Sequence, residues 1–96
     1  MEKKVRYKAY YQLELYVSGD SFVSHRAIES VEALCESELN GRYELNVIDL
    51  QKDPQKAVDK NIVVVPTLYR ISPKPQRQII GDLQNRERLM RGLEID

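Results

Sequence analysis

Residues 11–24 of this chain read Tyr-Gln-Leu-Glu-Leu-Tyr-Val-Ser-Gly-Asp-Ser-Phe-Val-Ser and predict a strand, a turn and the start of a helix. Apolar side chains alternate with more polar ones, which is the period of a strand, at Tyr11, Leu13, Leu15 and Val17. A turn at Gly19 and Asp20 follows, and the residues after it take up a helical period. The chain therefore passes from strand to helix across residues 18–24.

Two serines, Ser21 and Ser24, stand where this helix opens. A redox protein places two cysteines at such a strand-to-helix turn, with the spacing Cys-x-x-Cys, because the N-terminus of the helix stabilises a thiolate. A serine hydroxyl cannot cycle through a disulfide. We therefore expect that the chain is not an enzyme, and in particular that it is not a thiol-disulfide oxidoreductase.

The helix and the strand after it form a crossover unit. Apolar residues recur at spacings of three and four, as on one face of a helix, at Ala27, Ile28, Val31, Leu34, Cys35 and Leu39. The helix is predicted to end at Asn40 and Gly41, because glycine accepts the left-handed conformation common at helix C-termini. Tyr43–Leu50 reads as a second strand, and a helical crossover makes it parallel to the first.

The second half of the chain gives conflicting signals. Pro54–Asp59 reads as a short helix, and Asn85–Gly92 has apolar residues at helical spacing. The run Asn61–Val65 is rich in β-branched side chains and would be a strand on propensity alone. Because local preference and global pattern disagree here, we hypothesise that the C-terminal half has two packings of similar free energy.

Composition limits the class of protein. The chain has 96 residues, 42% of them hydrophobic, which predicts one domain over residues 1–96 with its core at about 11–93. Fifteen basic and fifteen acidic side chains cancel, so we expect neither nucleic acid nor a membrane as a partner. One cysteine and one histidine give no cluster at metal-ligand spacing, so we expect no metal and no cofactor. The absence of a long apolar run predicts a cytoplasmic protein.

Several blocks of the sequence resemble a known family. The run Val65–Leu68 looks like the proline loop of a thioredoxin-like domain. Together with it, the stretches Tyr11–Gly19, Tyr43–Leu50 and Arg77–Glu87 resemble the KaiB family of circadian clock proteins. The similarity covers Tyr11 to Leu93, and the spacing between Pro-Thr-Leu and Ile-Ile-Gly-Asp-Leu makes it specific.

The resemblance implies an α/β, thioredoxin-like fold with the order βαβαββα. In that arrangement Asn61–Val65 approaches the proline loop, and the strands are Thr67–Ile71 and Arg77–Ile80. The family also adopts a ground-state fold, βαββααβ, in which the C-terminal half is rearranged and the protein forms dimers or tetramers. Clock members commonly carry a proline and an asparagine where this chain has Phe22 and Val23.

The function that the resemblance implies is that of a non-enzymatic regulator. Such a protein docks on the KaiC ATPase ring and modulates its phosphorylation and timing cycle. In a full clock it also sequesters KaiA and competes with a sensor histidine kinase. Two alternatives stay open: a KaiB-like signalling or stress-response protein outside a full clock, and a degenerate thioredoxin-like sensor domain.

Candidate site residues fall into three groups. A basic group would either bind acidic residues of an ATPase ring or form a solvated face, and consists of Lys8, Arg26, Arg42, Lys52, Lys56 and Lys60. Pro66, Pro73 and Pro75 are candidate cis prolines of a fold switch, with an ordinary trans proline as the alternative for Pro66. Gly81 and Asp82 form either a hinge or a plain turn. Tyr7 and Tyr10 are assigned to self-association.

Overall fold

The computed structural model describes residues 9–95, and its seven elements follow the predicted order βαβαββα. They are β1 (Tyr11–Val17), α1 (Phe22–Glu38), β2 (Tyr43–Asp49), α2 (Gln55–Asp59), β3 (Thr67–Ser72), β4 (Arg77–Ile80) and α3 (Arg86–Leu93). The predicted strands agree with these bounds to within one residue. The predicted α/β class is therefore the observed one.

The four strands form one mixed sheet in the order β2-β1-β3-β4. β1 pairs with β2 in parallel, as the crossover predicted, and with β3 in antiparallel orientation. Leu15 of β1 lies between Val47 of β2 and Leu68 of β3. β4 pairs antiparallel with β3 and forms the second edge of the sheet.

The main core lies on the face of the sheet that α1 and α3 cover. Leu15 and Leu68 of the sheet, Leu34 of α1 and Leu89 of α3 are fully buried in one hydrophobic cluster. On the opposite face, the rings of Tyr16 and Tyr69 meet edge to face with 5.9 Å between centroids. None of the five residues of α2 is buried.

Helix α1 begins at Phe22, within residues 18–24, where the sequence predicts the passage from strand to helix. The Ser21 hydroxyl accepts a hydrogen bond from the backbone amide of Ser24 at 3.1 Å and so caps the first turn. The serine that replaces a redox cysteine therefore has a structural role in this chain. Asn85 caps α3 in the same way, through the amide of Arg88.

The β-branched run Asn61–Val65 is not a strand. Asn61 has a positive φ of 56°, and the amide of Ile62 bonds back to the carbonyl of Ala57 at 2.8 Å, which closes α2. Pro66, which directly follows the run, has no backbone N–H and cannot donate a hydrogen bond to a neighbouring strand. Local propensity is therefore overridden by the helix end before the run and the proline after it.

Among residues 9–95, Arg70 of β3 is the most deeply buried charged residue, at 3% exposure. Its guanidinium donates to the carbonyl of Leu93 and to the carbonyl of Pro75, each at 2.7 Å. The same group lies 3.2 Å from the carboxylate of Glu94, which Arg77 also binds at 3.0 Å. The last carbonyls of a helix lack partners within the helix, so Arg70 satisfies the end of α3 and neutralises its negative pole.

Replacing Arg70 by methionine is expected to lower the free energy of unfolding by about 2–4 kcal/mol, because the buried bond to the carbonyl of Leu93 and the partly buried bond to that of Pro75 are both lost. Arg77→Met, at an exposed position that also contacts Glu94, should cost less than about 1 kcal/mol. Urea unfolding followed by far-UV circular dichroism measures both. Equal losses in the two variants would contradict a special role for the buried group.

Candidate functional site

The candidate site lies at the end of the sheet where β1 ends and β3 begins. Tyr16, near the end of β1, pairs with Thr67, the first residue of β3. The turn after β1, the first turn of α1 and the loop before β3 therefore meet at one end of the molecule. A thioredoxin-like redox protein has its reactive pair at this position.

Ser21 and Ser24 hydrogen-bond to each other here, with 3.0 Å between their Oγ atoms. The Ser24 hydroxyl, which is buried, also donates to the carbonyl of Ser18 at 3.2 Å. His25 does not reach either hydroxyl and instead contacts the carboxylate of Asp20. The serines are thus occupied in structural bonds, and no base activates them among the described contacts.

The only cysteine cannot take over a redox role at this site. Cys35 lies 11 residues after Ser24 on α1, which places it about 16 Å along the helix axis. Its side chain is buried, and burial, together with Glu36 and Glu32, raises the pKa of the thiol to about 12. The thiol is therefore protonated and shielded, as the helical pattern predicted for a core residue.

Beside α1 an open cleft of about 460 Å³ separates the helix from β2, and Asp49 and Lys52 line it. The Asp49 carboxylate accepts the amides of Gly19 at 2.8 Å and of Gln51 at 2.9 Å. These two backbone bonds hold the pKa of Asp49 below its ordinary value. Asp49 thus fastens the end of β2 to the turn that opens α1. Across residues 9–95, no three side chains of the metal-binding types lie close enough to hold an ion.

Two of the predicted basic residues lie near this end of the sheet without a described ion pair. Lys52 lines the cleft, and Lys56 is on α2, the helix that follows β2. Lys60, just after α2, lies 3.8 Å from Glu14. Lys8 is outside the described residues.

The other two basic residues are engaged elsewhere. Arg42 precedes β2 and donates to the carbonyls of Ala9 and Glu38, each at 3.0 Å. It is separated from Lys52 by the whole length of β2, about 23 Å. Arg26 donates to Gln84 at 2.8 Å, and its guanidinium lies over the ring of Phe22, 5.4 Å from the centroid. The structure therefore brings together only part of the basic group.

The predicted switch residues have these positions in the structure. The peptide bonds preceding Pro66, Pro73 and Pro75 are all cis, so Pro66 takes one of the two forms that the sequence left open. Gly81 has a positive φ of 101° in the turn after β4. Asp82 accepts the amide of Gln84 at 2.9 Å, which is the bonding of a plain turn. Their role in a switch stays a prediction.

The predicted self-association residues are only partly described. Tyr7 lies outside the described residues. Tyr10 precedes β1, is exposed, and donates its hydroxyl to the carbonyl of Tyr43 at 3.2 Å. It lies at the opposite end of the sheet from the candidate site. Its role in self-association stays a prediction.

Sequence reasoning missed one surface at the candidate site. Five exposed apolar side chains, here called the apolar patch, lie at this end: Phe22, Val23, Val63, Val64 and Val65. The first two begin α1 and the other three form the loop before Pro66. The signal in the sequence is the apolar run Ile62–Val65, bounded by a helix end and a proline, but propensity predicts a strand there and the family resemblance implies a connecting segment.

Comparison with known protein families identifies the chain. A KaiB domain model matches residues 14–95. The chain belongs to the KaiB family. Two relatives named Circadian clock oscillator protein KaiB, from Rippkaea orientalis and Nostoc punctiforme, are each 44% identical to it over 91 residues, which is 95% of this chain and 88% of the relative. The family predicted from the sequence blocks is confirmed, and it is a family of clock regulators and not of enzymes.

Solved structures confirm the thioredoxin-like fold of this KaiB-family chain. The N-terminal domain of Synechococcus elongatus SasA matches with a TM-score of 0.71 at 20% identity, over 97% of this chain and 88% of that chain. Chloroplastic thioredoxin z matches with a TM-score of 0.74 at 18% identity, over 91% and 78% of the two chains. At these identities the matches show the fold alone. No helix in residues 9–95 has the length and apolar character to cross a membrane.

The geometry of the two serines predicts that the lost disulfide can be restored. Because Ser21 and Ser24 lie in hydrogen-bond contact, the double variant Ser21→Cys/Ser24→Cys should form an internal disulfide under oxidising conditions. Thiol titration in denaturant should then count one free thiol, that of Cys35, and three after reduction. The single variant Ser21→Cys is the control and should keep two free thiols as a monomer. Three free thiols in the oxidised double variant would contradict the geometry.

The bonds of Asp49 predict a pH dependence of stability. The pKa of Asp49 is lower in the folded chain than in the unfolded chain, where it is near 3.8. The ionised carboxylate therefore stabilises the fold at pH values above the unfolded pKa, and this stabilisation is lost as the pH falls through the folded pKa. The difference in unfolding free energy between the wild type and Asp49→Asn should therefore be constant above about pH 5 and shrink below pH 3.8. Urea unfolding at a series of pH values measures it. A difference that does not change with pH would contradict the bonding.

Proposed function

We propose that the chain is a non-enzymatic regulator that acts in the cytoplasm by docking on a KaiC-like ATPase ring and modulating its phosphorylation and timing cycle. The observation that carries this proposal is a thioredoxin-like scaffold of the KaiB family whose two redox positions are serines bonded to each other. Such a scaffold has no reactive group at its site, so its contribution is a surface. A sensor histidine kinase is a candidate competitor, because the SasA N-terminal domain has the same fold.

Lys52 and Lys56 are the residues of the basic group that fit docking best. They lie near the candidate-site end of the molecule and have no described ion pair, whereas Arg42 and Lys60 are engaged with other parts of this chain. Exposed basic side chains steer association with an acidic surface mainly through the rate of encounter. We therefore assign Lys52 and Lys56 to the contact with the ring.

The proposal includes an exchange between two folds. The structure described here is the thioredoxin-like form, and the second form would be the oligomeric family fold in which the C-terminal half is rearranged. If the ring binds only the thioredoxin-like form, the apparent affinity is reduced by the fraction of that form, and association is slow. Gly81 and Asp82, in the turn between β4 and α3, are the proposed hinge of this exchange.

Binding of the full chain to a purified KaiC-like ATPase hexamer tests the docking. In low salt, Lys52→Glu/Lys56→Glu should weaken binding at least tenfold, and wild-type binding should weaken as salt rises, because exposed charges are screened. Size-exclusion chromatography and biolayer interferometry measure the complex and its rates. Lys74→Glu is the matched control, since Lys74 is exposed in the β3–β4 turn at the far end of the sheet.

Two outcomes would contradict this proposal. Absence of binding to the hexamer at any salt concentration would refute the docking itself. Binding that is unchanged by Lys52→Glu/Lys56→Glu and by salt would refute the basic contact and favour an apolar one. For the exchange, NMR of the free chain should give two slowly exchanging sets of resonances, and the ATPase should select one of them.

A further inference from the structure

The cleft between α1 and β2 lies at the carboxyl ends of two parallel strands. β1 and β2 are neighbours in the sheet, and their last residues, Val17 and Asp49, both line the cleft. In open α/β sheets, ligands bind in the crevice beyond the carboxyl ends of the strands. The cleft volume of about 460 Å³ falls in the range of roughly 300–1,000 Å³ that is typical of small-molecule sites. Its place and its size are therefore those of a ligand site.

The apolar part of the cleft lining is incompletely covered. It consists of Val17 of β1, Ile28 of α1 and Val47 of β2. Val47 pairs in the sheet with Leu15, which is fully buried, yet Val47 itself is 41% exposed. Helix α1 thus covers β1 on this face of the sheet and leaves part of β2 open. An apolar group placed on Val47 would gain the free energy of removing that surface from water.

Asp49 has one carboxylate oxygen available to a ligand. The two backbone amides that bind this side chain, those of Gly19 and Gln51, both donate to Oδ1. Within residues 9–95, no hydrogen bond reaches Oδ2. The amide bonds hold the carboxylate in a fixed position and favour its ionised form. The second oxygen is therefore a preorganised acceptor for a cationic N–H group.

Lys52 supplies the opposite charge at the same cleft. Its backbone amide donates to the carbonyl of Asp49 at 3.1 Å, so a tight turn places the two residues side by side. Its ammonium group forms no ion pair within residues 9–95. The other charged residues that line the cleft, Asp20 and His25, already contact each other. Asp49 and Lys52 thus present a carboxylate and an ammonium group that do not bind each other.

These charges decide which kind of ligand fits. A simple anion at Lys52 would face the carboxylate of Asp49, and a simple cation at Asp49 would face the ammonium group of Lys52. A neutral apolar molecule would cover both charges without giving either a partner, which costs free energy. A zwitterion with an apolar branch provides a partner for each charge and also covers Val47. A free aliphatic α-amino acid has this chemistry.

We propose that the cleft between α1 and β2 binds a free aliphatic α-amino acid. Its ammonium group contacts Oδ2 of Asp49, its carboxylate contacts Lys52, and its side chain packs on Ile28 and Val47. The proposal does not rest on docking to the ATPase ring. Because Lys52 is also assigned to that contact, the amino acid and the ring compete for one ammonium group, and the bound amino acid weakens docking.

NMR titration of the full chain with L-leucine tests the proposal without any ATPase. Leucine should shift the resonances of residues 17–20, 24–28 and 47–52, with a Kd of about 1 mM because the cleft is open to solvent. Isocaproate, which lacks the ammonium group, and isopentylamine, which lacks the carboxylate, should each bind about tenfold more weakly. N-acetyl-leucinamide, which mimics a leucine within a peptide and lacks both charges, should produce no shift.

Matched variants locate the binding site. Lys52→Met and Asp49→Asn should each weaken leucine binding about tenfold, because each removes one of the two charges. Lys74→Met and Asp53→Asn remove the same charges at exposed positions outside the cleft and should leave the Kd unchanged. Far-UV circular dichroism checks that each variant folds. The Lys52 side chain makes no bond to residues 9–95, so Lys52→Met decides the result if Asp49→Asn does not fold.

Any of four results would overturn the proposal. One is the absence of shifts in these segments with L-leucine, L-isoleucine or L-valine at about 20 mM, far above the expected Kd. Another is a Kd for leucine that Lys52→Met leaves unchanged. The third is isocaproate or isopentylamine that binds as tightly as leucine, since one charge contact would then be absent. The last is N-acetyl-leucinamide that binds as tightly as leucine, which would make a peptide residue of a partner protein the occupant.

Discussion

The C-terminal half of this fold depends on the hydrogen bonds that the buried guanidinium of Arg70 donates. The guanidinium joins the middle of β3 to the end of α3 and to the β3–β4 turn. A buried cation is stable only where its partners are in place, and its Nε atom has none. The thioredoxin-like arrangement of this half is therefore specified by directional bonds as well as by burial, and a second arrangement must find other partners for the same charge.

The N-terminal half could be predicted closely from the sequence, because its local signals and its packing agree. Alternation in β1, the apolar stripe of α1 and the glycine turn each indicate the element that forms. The C-terminal half was harder. At Asn61–Val65 propensity favours a strand, but the end of α2 and Pro66 impose a loop. The family resemblance, and not the local pattern, gave the correct interpretation there.

The candidate site was predicted in part. Its place at the start of α1 and its lack of thiol chemistry follow from Ser21 and Ser24. The hydrogen bond between the two hydroxyls could not be predicted, nor could the engagement of Arg26 with Phe22, because both depend on side-chain orientation in the folded chain. Arg70 shows a related limit. Alternation places it on the same face as Leu68, but only the structure supplies the carbonyls that make a buried arginine tolerable there.

Cys35 carries the single thiol of the chain. It is fully buried on the face of α1 that packs against the sheet, and burial raises the pKa of its thiol to about 12. A thiol-specific reagent can reach this side chain only when α1 transiently separates from the sheet. Its labelling rate therefore measures opening of the N-terminal half, which the proposed exchange of folds would leave in place, with no engineered probe. If the distal half exchanges while this thiol stays unlabelled, the interconversion proceeds around an intact N-terminal anchor and does not pass through the fully unfolded chain.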